Sequence, residues 1–180
     1  MNLRTKVPAF DSSTAVHASP AAGLLRLLEL DEHTPTNWPR ADAAAMFQHQ
    51  LAAPLELDLS GENAPGSTTV EALAELPRAR RAGIRTFADL FSHAAPPLAV
   101  LKVAKDFFKR AARSQPRDSA EHRVAHACYL LSVVTARRRL DKRITNLSDT
   151  ELRHNIHWAL RQEWLGQAIH TLLRDAETHL

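Results

Sequence analysis

Cysteine and glycine are scarce in this chain of 180 residues, which holds one Cys and five Gly. The single thiol, Cys128, excludes an internal disulfide framework and any multi-cysteine zinc site, and it fits a reducing compartment. We interpret it as a small buried hydrophobic residue. Because Gly weakens a helix interior and Ala, which is abundant here, loses the least entropy in one, this composition favours helices.

Long apolar runs and a secretory leader are also missing. A Ser-, Thr- and Asp-rich segment follows Arg4 and Lys6, and charges interrupt the first leucine-rich stretch, 24–29. A membrane-spanning helix needs about 20 consecutive apolar residues, so none is predicted. With 44% hydrophobic and 24% charged residues, the composition is ordinary for a globular protein. We therefore expect a soluble, cytoplasmic chain with one domain.

Charge is distributed unevenly, although the net charge is only +3. Residues 1–76 hold 4 Lys/Arg against 10 Asp/Glu, residues 77–143 hold 16 against 5, and residues 144–180 hold 3 against 5. The middle third therefore carries a charge of +11 between two acidic ends. This asymmetry predicts either an acidic partner for the middle third or acidic ends that fold back onto it.

Helix signals recur along most of the chain. Residues 1–18 lack periodicity and are predicted to form a flexible tail, and Ser19 with Pro20 then marks a helix start. Four capping boxes, each a small polar residue followed three positions later by a carboxylate, mark further helix starts. They are Thr68 with Glu71, Thr86 with Asp89, Asp118 with Glu121, and Ser148 with Glu151. The predicted helices beyond residue 40 cover 41–53, 69–76, 87–93, 97–113, 119–139 and 149–178.

The longer helical stretches differ in how their apolar residues are distributed. Stretch 97–113 has one apolar stripe beside a basic one, whereas 119–139 is apolar on nearly all sides and is predicted to be the central helix. In 149–178 the apolar residues before and after Gly166 do not share a face, so it either bends there or packs its halves on different neighbours. The alternating segment 55–59 lacks a partner strand and is interpreted as an extended connector. We predict an all-α fold, a single-domain irregular bundle of five to seven helices over 19–180.

Ten histidines make a metal site the first functional hypothesis. His122 and His126 are four residues apart on one helix face beside a glutamate, a spacing that suits zinc, and 151–157 contains a Glu-x-x-His step as in di-iron bundles. Both glutamates, Glu121 and Glu151, are predicted at the N3 position of a capping box, which removes the third ligand from each cluster. The remaining metal alternative is a cross-helix site that combines His122, His126, His154 and His157.

Signatures of catalysis are absent from the sequence. No Gly-x-Ser-x-Gly elbow and no Gly-rich phosphate loop occur, and Cys128 is predicted in the middle of a helix among apolar residues. An enzymatic function therefore has no positive support, and no cofactor is predicted.

The basic middle third gives the second functional hypothesis, which is binding of nucleic acid or another anion through 78–143. No helix-turn-helix spacing, zinc finger or aromatics interleaved with the basic residues accompany it, and the arginines at the end of stretch 119–139 also suit the negative end of a helix. By elimination, we predict a non-enzymatic protein that binds other proteins, as an adaptor, a regulatory protein or an assembly component. The sequence does not determine its oligomeric state. The candidate binding residues are Lys102, Lys105, Lys109, Arg113, Arg137, Arg138 and Arg139.

Overall fold

The computed structural model describes residues 41–57 and 64–180, and within these ranges the chain is all-α, with no β-strand. This confirms the predicted helical bundle. The predicted tail 1–18 and the helix start at Ser19 lie outside the described residues, so the domain start at residue 19 stays a prediction. The helices are α1 (Ala41–Ala52), α2 (Ser67–Arg81), α3 (Phe87–Ser92), α4 (Leu98–Ser114), α5 (Ala120–Leu140), α6 (Asp149–Leu160) and α7 (Gln167–Glu177).

The central helix predicted at 119–139 is α5, which contacts α1, α3, α4, α6 and α7. Every residue from Ala127 to Ala136 is buried. Each neighbouring helix must cover an apolar stripe of its own, so a central helix needs apolar surface on all sides to support several of them. Neither α5 nor any other helix in the described ranges is long and apolar enough to cross a membrane.

The helix α4 packs on α5 through the apolar stripe that the sequence predicts. The seven apolar residues of the predicted stripe are all buried, and they are Val100, Leu101, Ala104, Phe107, Phe108, Ala111 and Ala112. Phe108 is fully buried, and its ring centroid lies 5.4 Å from that of Phe87 and 5.3 Å from that of Phe107, both in edge-on geometry. The other side of α4 is left to the solvent, and this side carries the charged residues.

The segment after α1 is extended in the part that the structure describes, as its alternating pattern predicts. Leu55 and Leu57 are buried. The Leu55 amide donates to the carbonyl of Arg85 at 2.9 Å, and the Phe87 amide donates to the carbonyl of Ala53 at 3.3 Å. Two backbone hydrogen bonds therefore fasten the connector to the turn before α3 without building a sheet.

The buried face of α1 differs from the one that its apolar pattern predicts. The sequence pattern places Ala45, Met46, His49 and Leu51 near one face. Met46 is buried and Leu51 is half-buried, but Ala45 and His49 are exposed. Phe47 and Gln50 are fully buried instead. The ring of Phe47 packs edge-on against Trp164, with centroids 5.5 Å apart, so a contact between distant parts of the sequence decides the face.

Two of the four predicted capping boxes form as expected. The Thr86 hydroxyl accepts from the Asp89 amide at 3.2 Å, and the Ser148 hydroxyl accepts from the Glu151 amide at 3.2 Å. In each box the carboxylate in turn accepts a hydrogen bond from the backbone amide of Thr86 or Ser148. Hydrogen bonds from the backbone amides of Arg85 and Thr86 lower the pKa of Asp89, and that from the Ser148 amide lowers the pKa of Glu151. The Glu151 carboxylate is therefore engaged in capping the N-terminus of α6.

The other two predicted boxes are wrong. Helix α2 begins before Thr68, after Gly66, and no side chain caps it. Helix α5 is capped by Ser119, whose hydroxyl accepts from the His122 amide at 3.1 Å. Glu121 consequently stands one position earlier in the first turn than the predicted N3 position.

The predicted C-terminal helix 149–178 is interrupted and forms two helices. Helix α6 ends at Leu160, and a 3₁₀ turn (Glu163–Leu165) and Gly166 precede α7. Gly166 has φ +80° and ψ 162°, a conformation that only glycine adopts easily. Helices α6 and α7 pack against each other and against α5. This arrangement explains why the apolar residues of the two halves of 149–178 do not share one helical face.

Candidate binding surface

The solvent side of α4 is basic because most of the apolar residues of the helix are buried on the opposite side. Of the predicted cations, Lys102, Lys105 and Lys109 are half-buried and Arg113 is exposed, as is Arg110. Lysine stems of this kind lie along the helix surface while their amines reach water. We call this set the basic face, and its members are Lys102, Lys105, Lys109, Arg110 and Arg113.

Asp106 is the single carboxylate of α4, and it is paired locally. Its Oδ1 lies 2.6 Å from the Nζ of Lys105, whose side chain is only 15% exposed. Surface pairs of this type contribute at most about 1 kcal/mol, but they lower the charge presented to a partner. Within the described parts of the chain, no ion pair engages Lys102, Lys109 or Arg113, so the basic face keeps most of its charge.

The arginine run at the end of α5 is largely engaged inside the chain. Arg137 donates to the carboxylate of Asp149 at 2.9 Å, and Arg138 forms an ion pair with Asp175. Arg143, in the loop between α5 and α6, approaches the Asp149 carboxylate at 3.3 Å. These pairs join the end of α5 to α6 and α7.

Two carboxylates of the acidic C-terminal segment, Asp149 and Asp175, therefore fold back onto the basic middle third, which is the C-terminal half of the prediction that both acidic ends do so. The predicted binding residues Arg137 and Arg138 make these internal pairs, and neither belongs to the basic face. Arg139 is exposed. Exposed arginines also lie at the end of α2 and in the turn after it (Arg78, Arg80, Arg81 and Arg85), but α4 is the helix whose solvent side carries cations on successive turns.

A cleft of about 610 Å³ opens beside the first half of α4. The start of α2 and the loop between α5 and α6 form its other walls, and Ile144 and Leu147 add apolar surface. We call it the polar cleft. Its polar lining consists of Thr68 from α2, then Lys102, Lys105 and Asp106 from α4, then Arg143, Thr145 and Asn146 from the loop.

The loop wall of the polar cleft is anchored to the core. Ile144 is buried, and the hydroxyls of Thr145 and Tyr129 lie 3.2 Å apart. The Leu147 amide donates to the Thr145 hydroxyl oxygen at 3.4 Å. Sequence patterns do not identify Thr145 or Asn146 as site residues, because a loop has no periodicity and these side chains meet the α4 lysines only in the folded chain.

Two of the four candidate metal ligands, His122 and His126, lie on α5 and bond to protein groups. The Nδ1 of His122 lies 2.7 Å from the carbonyl oxygen of Ala112, and the Nε2 of His126 lies 3.0 Å from the Oδ1 of Asn155. The two imidazole rings stack with centroids 6.0 Å apart. Their predicted proximity on one face is thus present, but hydrogen bonds within the protein occupy one nitrogen of each ring.

The other two candidate ligands, His154 and His157, lie on α6 and do not complete a metal site. His154 is exposed, and the Nε2 of His157 lies 2.5 Å from the Oε1 of Glu177. Across residues 41–57 and 64–180, no three His, Cys, Asp or Glu side chains are grouped in a way that could hold a metal ion. The metal hypothesis gains no support from this part of the chain.

The environment of His126 predicts a pH-dependent stability. The ring packs edge-on against Trp158, with centroids 4.5 Å apart. Burial lowers the pKa of His126, the hydrogen bond with Asn155 partly opposes this, and the neighbouring His122 lowers the pKa further. Folding therefore favours the neutral imidazole.

We expect the free energy of unfolding to fall as pH drops below about 6.5, the ordinary histidine pKa. Above that pH the ring is neutral in both states, whereas below it the unfolded chain takes up a proton more readily than the folded one. His126→Gln should reduce the difference in unfolding free energy between about pH 7.5 and about pH 5.5, measured by urea denaturation. The exposed control His154→Gln should keep the full difference. An unchanged pH dependence in His126→Gln would contradict the prediction.

Cys128 is confirmed as a buried residue of the core and is not paired. Burial raises the pKa of its thiol, so the nucleophilic thiolate is not formed at neutral pH. Its role is packing inside α5.

The basic face and the polar cleft share Lys102 and Lys105, so together they make one continuous cationic region beside α4. Comparison with known proteins found no matching family model, no matching curated protein and no matching solved structure. The chemistry of this region is therefore the basis on which function can be argued.

Proposed function

We propose that this protein is a cytoplasmic, non-enzymatic interaction protein that docks an acidic segment of a partner protein on the basic face. The observation that supports this is the charge of the solvent side of α4, where five cations accompany one carboxylate that Lys105 already engages. With 17 residues, α4 is about 25 Å long. An acidic segment that runs along it can meet cations on successive turns, from Lys102 to Arg113.

Charge is expected to dominate this contact. Val70, 51% exposed, is the one large hydrophobic residue that is well exposed in the described ranges. A partner helix with an apolar face would therefore find little to cover. Electrostatic contacts steer association and weaken as salt is added, so the interaction should be salt-sensitive.

The placement of the aromatic rings favours a protein partner over single-stranded nucleic acid. Base stacking requires exposed rings next to the cations. Phe107 and Phe108 of α4 are buried, and so is Tyr129 beneath the polar cleft. Contacts to the phosphates of a duplex do not need such rings, and the experiment below distinguishes that outcome.

We expect the double substitution Lys109→Glu and Arg113→Glu to weaken partner capture at least about tenfold, because it reverses two charges at the C-terminal end of the basic face. The measurement is affinity capture from an extract of the native host at low and high salt, with the bound partner quantified. The matched control, Arg153→Glu with Arg174→Glu, makes the same change in net charge at exposed positions on α6 and α7.

Equal capture by the wild type and the α4 variant would rule out the basic face as the docking surface. A nuclease step before capture separates the partner classes. If nuclease treatment abolishes capture, the partner is nucleic acid, and the proposed acidic protein segment is wrong.

A further inference from the structure

We propose that the polar cleft is a binding site for a phosphate monoester. The ligand is identified by its chemistry, a phosphate dianion carried on a polar group. The site does not require the protein partner discussed above, because a small phosphorylated molecule could occupy it alone.

The charge of the polar cleft fits such a ligand. Lys102, Lys105 and Arg143 bring three positive charges to its walls, and Asp106 brings one negative charge. A phosphate monoester carries a charge of about −1.5 to −2 near neutral pH. The net charge of the cleft therefore matches that of one phosphate group, and lysine and arginine are the usual cations that bind it.

Hydrogen-bond donors complete the match. The hydroxyls of Thr68 and Thr145 and the amide of Asn146 line the same space as the three cations. A phosphate presents three strong acceptor oxygens, so it can use a ring of donors in a way that a single carboxylate cannot. Thr68 also lies in the first turn of α2, which has no acidic residue and no capping side chain to repel or replace an anion.

The donors on the loop side are held in position before a ligand arrives. Asp149 accepts from Arg137 at 2.9 Å and lies 3.3 Å from the Nη2 of Arg143, so one carboxylate ties the start of the loop to α5. The buried Ile144 and the contact between Thr145 and Tyr129 fix the next two residues. Preorganisation of this kind lowers the entropy cost of binding.

Arg143 keeps the freedom to contact the ligand. Its side chain is 61% exposed, and both contacts of its Nη2 with the Asp149 carboxylate are long, at 3.3 Å and 3.5 Å. The guanidinium group carries five N–H donors, so it can bind a phosphate oxygen without leaving Asp149.

The size of the polar cleft predicts a ligand larger than inorganic phosphate. Small-molecule sites occupy about 300–1,000 Å³, and this cleft measures about 610 Å³. Its lining is mainly polar, with Ile144 and Leu147 as the apolar exceptions, so the group attached to the phosphate should be polar as well. A sugar phosphate and a phosphoserine in a peptide share this chemistry, and the experiment distinguishes these two sources.

The test is an NMR titration of the ¹⁵N-labelled full chain with inorganic phosphate, ribose 5-phosphate and a phosphoserine peptide. Ribose and the unphosphorylated peptide serve as controls. We expect a phosphorylated probe to shift the amide signals of residues 143–147 and of the first turn of α2, with millimolar or tighter affinity. Preference for ribose 5-phosphate over the peptide identifies a small molecule as the source, and the reverse preference identifies a partner protein.

Variants separate the polar cleft from general attraction by a basic surface. Lys102→Gln and Arg143→Gln should each raise the dissociation constant at least about tenfold, because each removes a charge-assisted contact to phosphate. The matched control, Arg174→Gln, removes one charge at an exposed position of α7 outside the cleft and should change the dissociation constant less than about threefold. Circular dichroism verifies that each variant is folded.

Two results would overturn the inference. One is the absence of shifts in these residues with every phosphorylated probe at millimolar concentration, and the other is an equal loss of affinity in Arg174→Gln and Lys102→Gln. Either result leaves the proposed protein partner unaffected, because that proposal is tested by charge reversal at Lys109 and Arg113. Conversely, a failure of partner capture leaves phosphate binding by the cleft to be measured independently.

Discussion

Replacing Phe108 with alanine is expected to lower the free energy of unfolding by about 3–5 kcal/mol, the usual cost of removing a phenyl ring from a well-packed core. Phe108 is completely buried on the inner side of α4. Its ring lies between Phe87 of α3 and Phe107 of its own helix, and both edge-on contacts are lost with it. The variant leaves a cavity that the surrounding helices cannot fill, since they are fixed by their own contacts with α5.

Urea denaturation measures this effect, as a lower transition midpoint with an unchanged slope. Phe108→Leu keeps part of the buried volume and should lose less stability than the alanine variant. The surface control Val70→Ala, at a residue that is 51% exposed, should stay within about 0.5 kcal/mol of the wild type. A loss from Phe108→Ala no larger than that from Val70→Ala would show that Phe108 does not occupy the core as described.

The second large effect is expected at Gly166, where Gly166→Ala should cost about 1–3 kcal/mol through backbone strain. Gly166 has φ +80° and ψ 162°, which an L-residue with a side chain rarely adopts. A Cβ atom placed there would meet no other atom within 4 Å, so steric clash does not contribute. The cost arises because the chain must turn at this residue to bring α7 back against α6.

Gly66→Ala is the matched control for this substitution. Its Cβ atom would also find open space, but Gly66 has φ −63° and ψ 158°, an extended conformation that alanine adopts without strain. The lower entropy of the unfolded alanine chain and the poorer N-cap preference of alanine act in opposite directions, so stability should stay within about 1 kcal/mol. Thermal or urea unfolding of both variants provides the comparison, and equal losses would exclude backbone conformation as the cause.

The uneven charge distribution along the chain can be explained only with the folded structure. The sequence offers two explanations for a middle third with a charge of +11, an acidic partner or acidic ends that fold back. In the structure Asp149 and Asp175 fold back onto Arg137 and Arg138, while the cations of α4 have little internal compensation. Internal pairing therefore accounts for Arg137 and Arg138, and an acidic partner for the cations of α4 is the function proposed above.

Local patterns predict the elements whose causes are local. The apolar stripe of α4 and the hydrophobic surface of α5 follow from helical periodicity, and the boxes at Thr86 and Ser148 follow from the geometry of a helix start. The predictions at Thr68 and Asp118 are wrong because the same residue pattern can occur one or two residues away from the true N-cap, which is Gly66 for α2 and Ser119 for α5. Ser119, adjacent to Asp118, caps α5 instead.

Long-range contacts decided what these patterns could not predict. The packing of Phe47 against Trp164 set the inner face of α1, and the turn at Gly166 allowed α7 to return against α6. A helical pattern that is read along the chain carries no information about where a distant neighbour lies. For this reason, the sequence predicts only a bend at Gly166 or separate packing of the two halves of 149–178, whereas the chain reverses there and forms two helices.

The scarcity of glycine, the abundance of alanine and the single cysteine determined by themselves that this chain is helical and has no disulfide framework, because helix propensity and covalent pairing depend on residue type. The tertiary structure alone decided which cations face solvent and which residues form the polar cleft. Thr68, Lys102 and Arg143 are far apart in sequence and become neighbours only when α2 and α4 pack and Asp149 and Ile144 hold the loop after α5 in place. That packing is set by apolar burial elsewhere in the molecule, so the site is a consequence of the core.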